Sequence, residues 1–139
     1  MTGDAAGRIP DRESLRVEFK SDRPAGLPDH ELVDAAMALA NTAGGDLWLG
    51  VEDDGSVTGV LDRHADADGV VALIANRTTP LLETSAELIP IGKERVLRIR
   101  VPQARPLVCT TRGTYQRRRL KEDGTPECVA IQPHEITTR

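Results

Sequence analysis

Five carboxylates stand beside two apolar segments. Glu13 and Glu18 bracket Ser-Leu-Arg-Val, and Glu52, Asp53 and Asp54 follow Leu-Trp-Leu-Gly-Val. Oxygen ligands of this kind suit a hard divalent cation, and Mg²⁺ commonly takes one or two carboxylates while keeping several waters. An ion so held activates water and stabilises the charge that develops as a phosphodiester is cut. Glu13 and Glu18 are five residues apart, and an odd separation on a straight strand sends side chains to opposite faces. They converge only where Glu13 precedes the strand on a bent lead-in. Spacing alone leaves two readings open: a cation site, or exposed strand charges beside a solvated acidic turn.

The basic counterpart is the run Thr-Tyr-Gln-Arg-Arg-Arg-Leu-Lys at 114–121. In an extended segment Tyr115, Arg117 and Arg119 share one face, with Gln116 and Arg118 on the other. Arginine binds phosphate oxygens bidentately, and counterion release favours such contacts at low salt. A tyrosine beside them can stack a base. The same pattern also describes an edge strand protected by charge.

Stepping along the chain gives the elements that must hold these groups. Leu15, Val17 and Phe19 alternate with Arg16, Glu18 and Lys20, which predicts a strand with one apolar and one charged face. A Pro- and Gly-rich break follows. Leu32, Val33, Ala36, Met37 and Ala40 recur at helical spacing, which predicts an amphipathic helix over 30–42 with Asp29 as its N-cap. Gly44 and Gly45 are placed to end it. Further expectations are a strand over 47–52, a turn at Asp53–Ser56 with a return strand over 57–61, and a second helix over 66–77. A hairpin is expected around Gly92-Lys93, a strand pair 107–110 and 114–118 around Arg112-Gly113, and a short helical turn at the C-terminus. The fold class is therefore α+β: a mixed, mostly antiparallel sheet with two main helices. Residues 1–11 read as a flexible tail and 12–139 as one domain.

Composition narrows the function classes. The chain has 139 residues, enough for a core of its own, and only three aromatic residues: Phe19, Trp48 and Tyr115. That scarcity disfavours modules that stack several bases on aromatic platforms. The net charge is −4, but residues 1–70 carry six Lys/Arg against fifteen Asp/Glu, while 71–139 carry twelve against seven. A basic surface can exist despite the acidic total. Cys109 and Cys128 have no disulfide or zinc-ribbon spacing, so buried free thiols and a reducing cytoplasm are expected. No segment has membrane-spanning length. No phosphate-loop motif is present, and the glycine pair ends a helix rather than starting one, so no ATP binding is expected.

The stretches Glu-Ser-Leu-Arg-Val-Glu-Phe-Lys (13–20), Ala-Asn-Thr-Ala-Gly-Gly (40–45) and Gly-Val-Glu-Asp-Asp-Gly (50–55) together resemble the Schlafen AlbA-type domain. Weaker markers are Thr-Thr-Pro at 78–80, Gly-Thr-Tyr-Gln-Arg-Arg at 113–118 and His-Glu-Ile at 134–136. The resemblance runs over about residues 12–137. It implies a domain that binds RNA or DNA. It also implies that Glu13, Glu18 and Asp53 answer to a three-carboxylate Mg²⁺ or Mn²⁺ site, which in Schlafen ribonucleases cuts structured RNA such as tRNA. Lys20 and Arg118 would be its phosphate-facing partners. Those ribonucleases use two lobes, so a homodimer would restore the cleft from a single-lobe chain. The expected function is nucleic-acid binding, with phosphates held by Lys20, Arg112, Arg117, Arg118 and Arg119 and a base beside Tyr115. The alternatives are a metal-dependent endoribonuclease and a protein-interaction module.

Overall fold

The computed structural model describes residues 9–138, with side chains through Glu135. Residues 1–8 of the expected tail lie outside the described residues. Ile9 does not behave as tail: it packs against a cluster on one face of the sheet.

The central sheet has four strands in the order β1-β2-β5-β4. They are β1 (Val17–Lys20), β2 (Gly45–Leu49), β4 (Ser85–Ile91) and β5 (Glu94–Val101). β1 and β2 are parallel, and the other two pairings are antiparallel. The helix α1 (Asp29–Ala40) makes the crossover that parallel strands require. Helix α2 (Ala67–Asn76) packs on the same layer. The fold is α+β with two main helices and a mixed, mostly antiparallel sheet, as the periodicities predict.

Alternation along the strands divides the core. Leu47, Leu49, Leu97 and Ile99 face the helices and meet Leu32, Ala36, Leu39 and Ile74. Phe19, Trp48, Ile89 and Val96 form a smaller cluster on the opposite face, where the Arg98 guanidinium lies 5.2 Å from the Trp48 ring centre. The small alanines of α1 are what allow close approach: Ala35, Ala36, Ala38 and Ala40 are all buried.

The segment Asn41–Gly45 stitches the layers together. Asn41 is 1% exposed. Its side-chain amide donates to the carbonyls of Val108 (2.8 Å) and Gln116 (2.9 Å), and its oxygen accepts the Val108 N–H at 2.8 Å. The Thr42 hydroxyl accepts the Arg118 N–H at 2.8 Å. Gly44, at φ +74°, returns its N–H to the Leu39 carbonyl at 2.8 Å and ends the helix. A side chain on Gly45 would collide with the Arg16 carbonyl. The asparagine-to-glycine motif is therefore a packing and capping device.

Several local expectations give way. Pro28 rather than Asp29 is the N-cap of α1, without a side-chain cap bond, and Asp29 is the first helical residue. Val51 and Val57 form a single bridge around the turn that Gly55 permits, and no return strand follows. The expected pairing of 107–110 with 114–118 is replaced by two others. β6 (Cys109–Thr110) pairs with β3 (Thr78–Thr79), and β7 (Gln116–Leu120) pairs with β8 (Pro126–Ala130). The tight turn at Arg112-Gly113 still joins them, through a Thr110 N–H to Thr114 carbonyl bond of 3.0 Å. The C-terminal turn is the short helix α3 (Pro133–Thr138). Cys128 is exposed and Cys109 half-buried, so neither thiol is a core residue.

β1 is an edge strand, and its outward side is closed by side chains. Arg118, 2% exposed, reaches from β7 and donates through Nη1 to the Glu18 carboxylate. Its Nη2 donates to the carbonyls of Ser14 (2.5 Å) and Val17 (3.0 Å), and its Nε to that of Leu15 (3.1 Å). Glu18 is 8% exposed, so the middle member of the expected charged face is buried and paired, whereas Arg16 is exposed and Lys20 half-buried. Removing one partner of a buried pair leaves an uncompensated charge. Arg118→Ala is expected to destabilise the fold by about 3–5 kcal/mol, with Glu18→Gln in the same chain recovering part of the loss. Urea unfolding checks this, and midpoints unchanged in the single variant would contradict it.

Candidate nucleic-acid interface and carboxylate site

Glu13 does precede the strand. Ser14 and Val17 pair across the Leu15-Arg16 turn through bonds of 3.0 and 3.3 Å, which reverses the chain. Glu13 is thereby laid alongside β1, where its Oε1 accepts the Phe19 N–H at 3.3 Å. The odd spacing to Glu18 is thus accommodated by a turn rather than by a straight strand.

Glu13 feels the charges of both Glu18 and Asp53. Burial lifts the Glu13 carboxyl from 4.5 to about 7, and the charges of Glu18 and Asp53 push the same way. The Phe19 N–H and Arg118 oppose the rise. The three do not form a ready ligand set. Glu18 is engaged by Arg118, Asp53 is exposed on its turn, and among the described residues no three His, Cys, Asp or Glu side chains are grouped to hold a metal ion. As they stand, the three do not fit a three-ligand cation site. Glu13 and Asp53 remain as the two carboxylates that open onto a cleft.

That cleft, of about 810 Å³, lies between the Arg12–Arg16 lead-in, the Asp53 turn and the tip of the β7–β8 hairpin. Arg12, Arg16 and Lys121 supply its positive charge. Asp123 also lines it, but its carboxylate is turned into the hairpin tip, accepting the Thr125 N–H at 2.9 Å and hydroxyl at 2.6 Å. Leu120, half exposed, and Pro126 are cross-strand partners in the wall.

The predicted basic residues do not gather here. The alternation along 116–120 holds, but its meaning is reversed for Arg118, whose guanidinium nitrogens are all engaged within the fold and face no solvent-borne phosphate. Arg117 pairs with Glu135 at 2.7 Å, and Arg119 pairs with its cross-strand neighbour Glu127 at 2.8 Å. Tyr115 is half-buried beside Cys109, whose thiol pushes the phenol pKa up. Lys20 and Arg112 act together on Asp34 of α1, and Arg112 lines a separate, smaller pocket. The cleft cations Arg12 and Arg16 lie outside the basic run, and Lys121 is its last residue. Their signal is position: they flank Glu13 and the hairpin tip.

Glu13 gives the site a pH signature. Between about pH 4.5 and 7 the folded chain retains a proton that the unfolded chain has lost, so this group's contribution to stability falls as pH rises through that window. Glu13→Gln keeps an acceptor for the Phe19 N–H and removes the charge. The variant is expected to gain stability over the parent at pH 8 but not at pH 4, as read from Tm by circular dichroism. A difference independent of pH would contradict the assignment.

The family model described as Schlafen, AlbA_2 matches residues 13–125. No curated protein matches the chain. Among solved structures that share the fold is the DIP2311 protein from Corynebacterium diphtheriae, with a TM-score of 0.66 at 22% identity. That match covers 93% of this chain and 25% of the other. A second is the N-terminal domain of a protein from Nitrosomonas europaea related to the ATP-dependent DNA helicase RecG. It has a TM-score of 0.57 at 22% identity, over 96% of this chain and 95% of that one. The chain therefore spans about a quarter of the first and nearly all of the second. Since the match extends from Glu13 through the hairpin tip at Thr125, the chain belongs to the Schlafen, AlbA_2 family.

Proposed function

We propose that this chain is a nucleic-acid-binding domain whose phosphate contacts are made in the cleft beside Glu13 and Asp53. The observation that carries this reading is the meeting of Arg12, Arg16 and Lys121 in one open cleft. Three cationic side chains from two separate segments form a track for a polyanion, and the pairing of Arg117 and Arg119 with carboxylates leaves those two the smaller share. The family and the helicase-related origin of the Nitrosomonas europaea domain support nucleic acid as the partner. Replacing Arg12, Arg16 and Lys121 together with alanine is expected to flatten the plot of log K against log salt by about two to three. Arg117→Ala and Arg119→Ala should change it far less. Fluorescence anisotropy with tRNA and with duplex DNA across a salt series provides the measurement. Absence of binding at low salt in the parent would leave a protein-interaction role instead.

A second reading is a Mg²⁺- or Mn²⁺-dependent endoribonuclease. The observation favouring it is that Glu13 and Asp53 line one cleft, where burial and then the charges of Glu18 and Asp53 raise the Glu13 pKa, a cost that a divalent cation would offset. Glu13 and Asp53 would be the residues presented to the ion, while Glu18 stays with Arg118. On this reading tRNA is cut in the presence of Mn²⁺, cutting stops with Asp53→Asn, and affinity for tRNA is retained. Intact tRNA after prolonged incubation with Mn²⁺ would exclude it and leave the binding role.

A further inference from the structure

We infer that a second pocket, at the start of α1 and apart from the cleft, is a site for a single phosphate group. Its lining comes from three chain segments. His30 and Asp34 stand in the first turns of α1, Arg77 follows the last residue of α2, and Thr111 and Arg112 belong to the turn after β6. The cavity is about 140 Å³. Sites for drug-sized molecules run from roughly 300 to 1,000 Å³, so this one suits a tetrahedral oxyanion with a water or two rather than a base and sugar.

The donors fit that occupant. Arg112 is exposed and, among the described residues, has no hydrogen-bond or ion-pair partner. Arg77 is held to Asp29 only at 3.7 Å, a loose contact that an incoming oxyanion can share. Thr111 is exposed and adds a hydroxyl. Pro28 caps helix α1 without a side-chain bond, and the Glu31 N–H is taken by the Pro28 carbonyl at 3.1 Å, which leaves the N–H groups of Asp29 and His30 to the helix's positive end. Asp29 and Glu31 offset part of that positive end. Asp34 is the discordant member of the lining. Burial raises its pKa, against the pull of His30, Arg112 and Lys20, so it is the group in this pocket that most readily gives up its charge when an anion enters.

The frame is fixed before any ligand arrives. The Thr111 N–H donates to the Arg77 carbonyl at 2.9 Å, and Thr78 pairs with Thr110. The turn itself is closed by the Thr114 N–H on the Thr110 hydroxyl at 3.1 Å. The bracing fixes the backbone on which the two arginines are rooted, and guanidinium groups suit bidentate recognition of a phosphate. The phosphate can be the terminal monoester of a nucleic-acid strand or a free phosphate compound, and the same chemistry serves both.

Calorimetry with inorganic phosphate, against acetate at equal ionic strength, tests the pocket. Phosphate is expected to bind the parent, and Arg112→Ala, an exposed change that leaves the fold intact, to weaken it roughly tenfold or more. Arg77→Ala should act in the same direction. A pair of oligonucleotides differing only in a 5′-phosphate or 5′-hydroxyl then separates the sources. Tighter binding of the phosphorylated strand, lost in Arg112→Ala, identifies a strand end. Equal binding of the two, with inorganic phosphate still bound, identifies a free phosphate compound. Heats no larger than those of acetate, or an Arg112→Ala chain that binds phosphate like the parent, would overturn the site. None of these outcomes depends on Arg12, Arg16 or Lys121, so the cleft and the pocket stand or fall separately.

Discussion

The buried contact between Glu18 and Arg118 is the constraint on which the rest of this architecture rests. The outer edge of β1 has backbone groups that no neighbouring strand satisfies, and edge strands left bare invite misassociation. Arg118 fills that role with donors to three carbonyls and one carboxylate, while Glu13 takes the Phe19 N–H. The β7–β8 hairpin is not laddered to the central sheet. It is joined to the edge by this guanidinium, to α1 by the Gln116 N–H on Met37 Sδ, and to the residues just after α1 by Asn41 and Thr42. A charge pair removed from water is a weak source of net stability. Its contribution here is positional: it sets where the hairpin stands, and so forms the far wall of the cleft.

The cleft that results is balanced in charge rather than uniformly basic. Arg12, Arg16 and Lys121 share it with Glu13 and Asp53. A polyanion entering such a site meets attraction and repulsion within a few ångströms, and the repulsion is already felt by Glu13. On the proposed reading, anything that neutralises the two acids, a proton or a divalent cation, would strengthen a hold on phosphate there. The pocket near α1 has a different balance, with two arginines against one carboxylate whose charge burial disfavours.

How much of this is legible in the sequence depends on the kind of interaction. Period-2 and period-3.6 patterns locate β1, both main helices and the β4–β5 hairpin, because burial of one face is a local property of each segment. The glycine pair reads correctly as a helix end for the same reason. Pairings among short strands are not legible: β6 and β3 are two residues each, and which partner they choose is decided by tertiary contacts such as those of Asn41. The parity of Glu13 and Glu18 makes a bend ahead of β1 the condition for their convergence, but does not by itself choose it over a straight strand with exposed charges. The arginine run shows the limit. Alternation assigns its faces properly, but it cannot show that one face is the protein interior, nor that Glu127 and Glu135 wait opposite the other. Arg12 carries no pattern and Arg16 reads as part of the strand alternation; their place in the cleft follows from a two-residue turn ahead of β1.

The tip of the β7–β8 hairpin closes on itself. The Lys121 N–H meets the Thr125 carbonyl at 2.8 Å, the Gly124 N–H meets the Lys121 carbonyl at 3.0 Å, and Asp123 holds Thr125. None of these bonds reaches the core. The five-residue loop is thus modular: its length and residues can be exchanged while the anchors at Arg118 and Gln116 stay in place. That makes it a grafting point where a designer can change the cleft wall without refolding the scaffold.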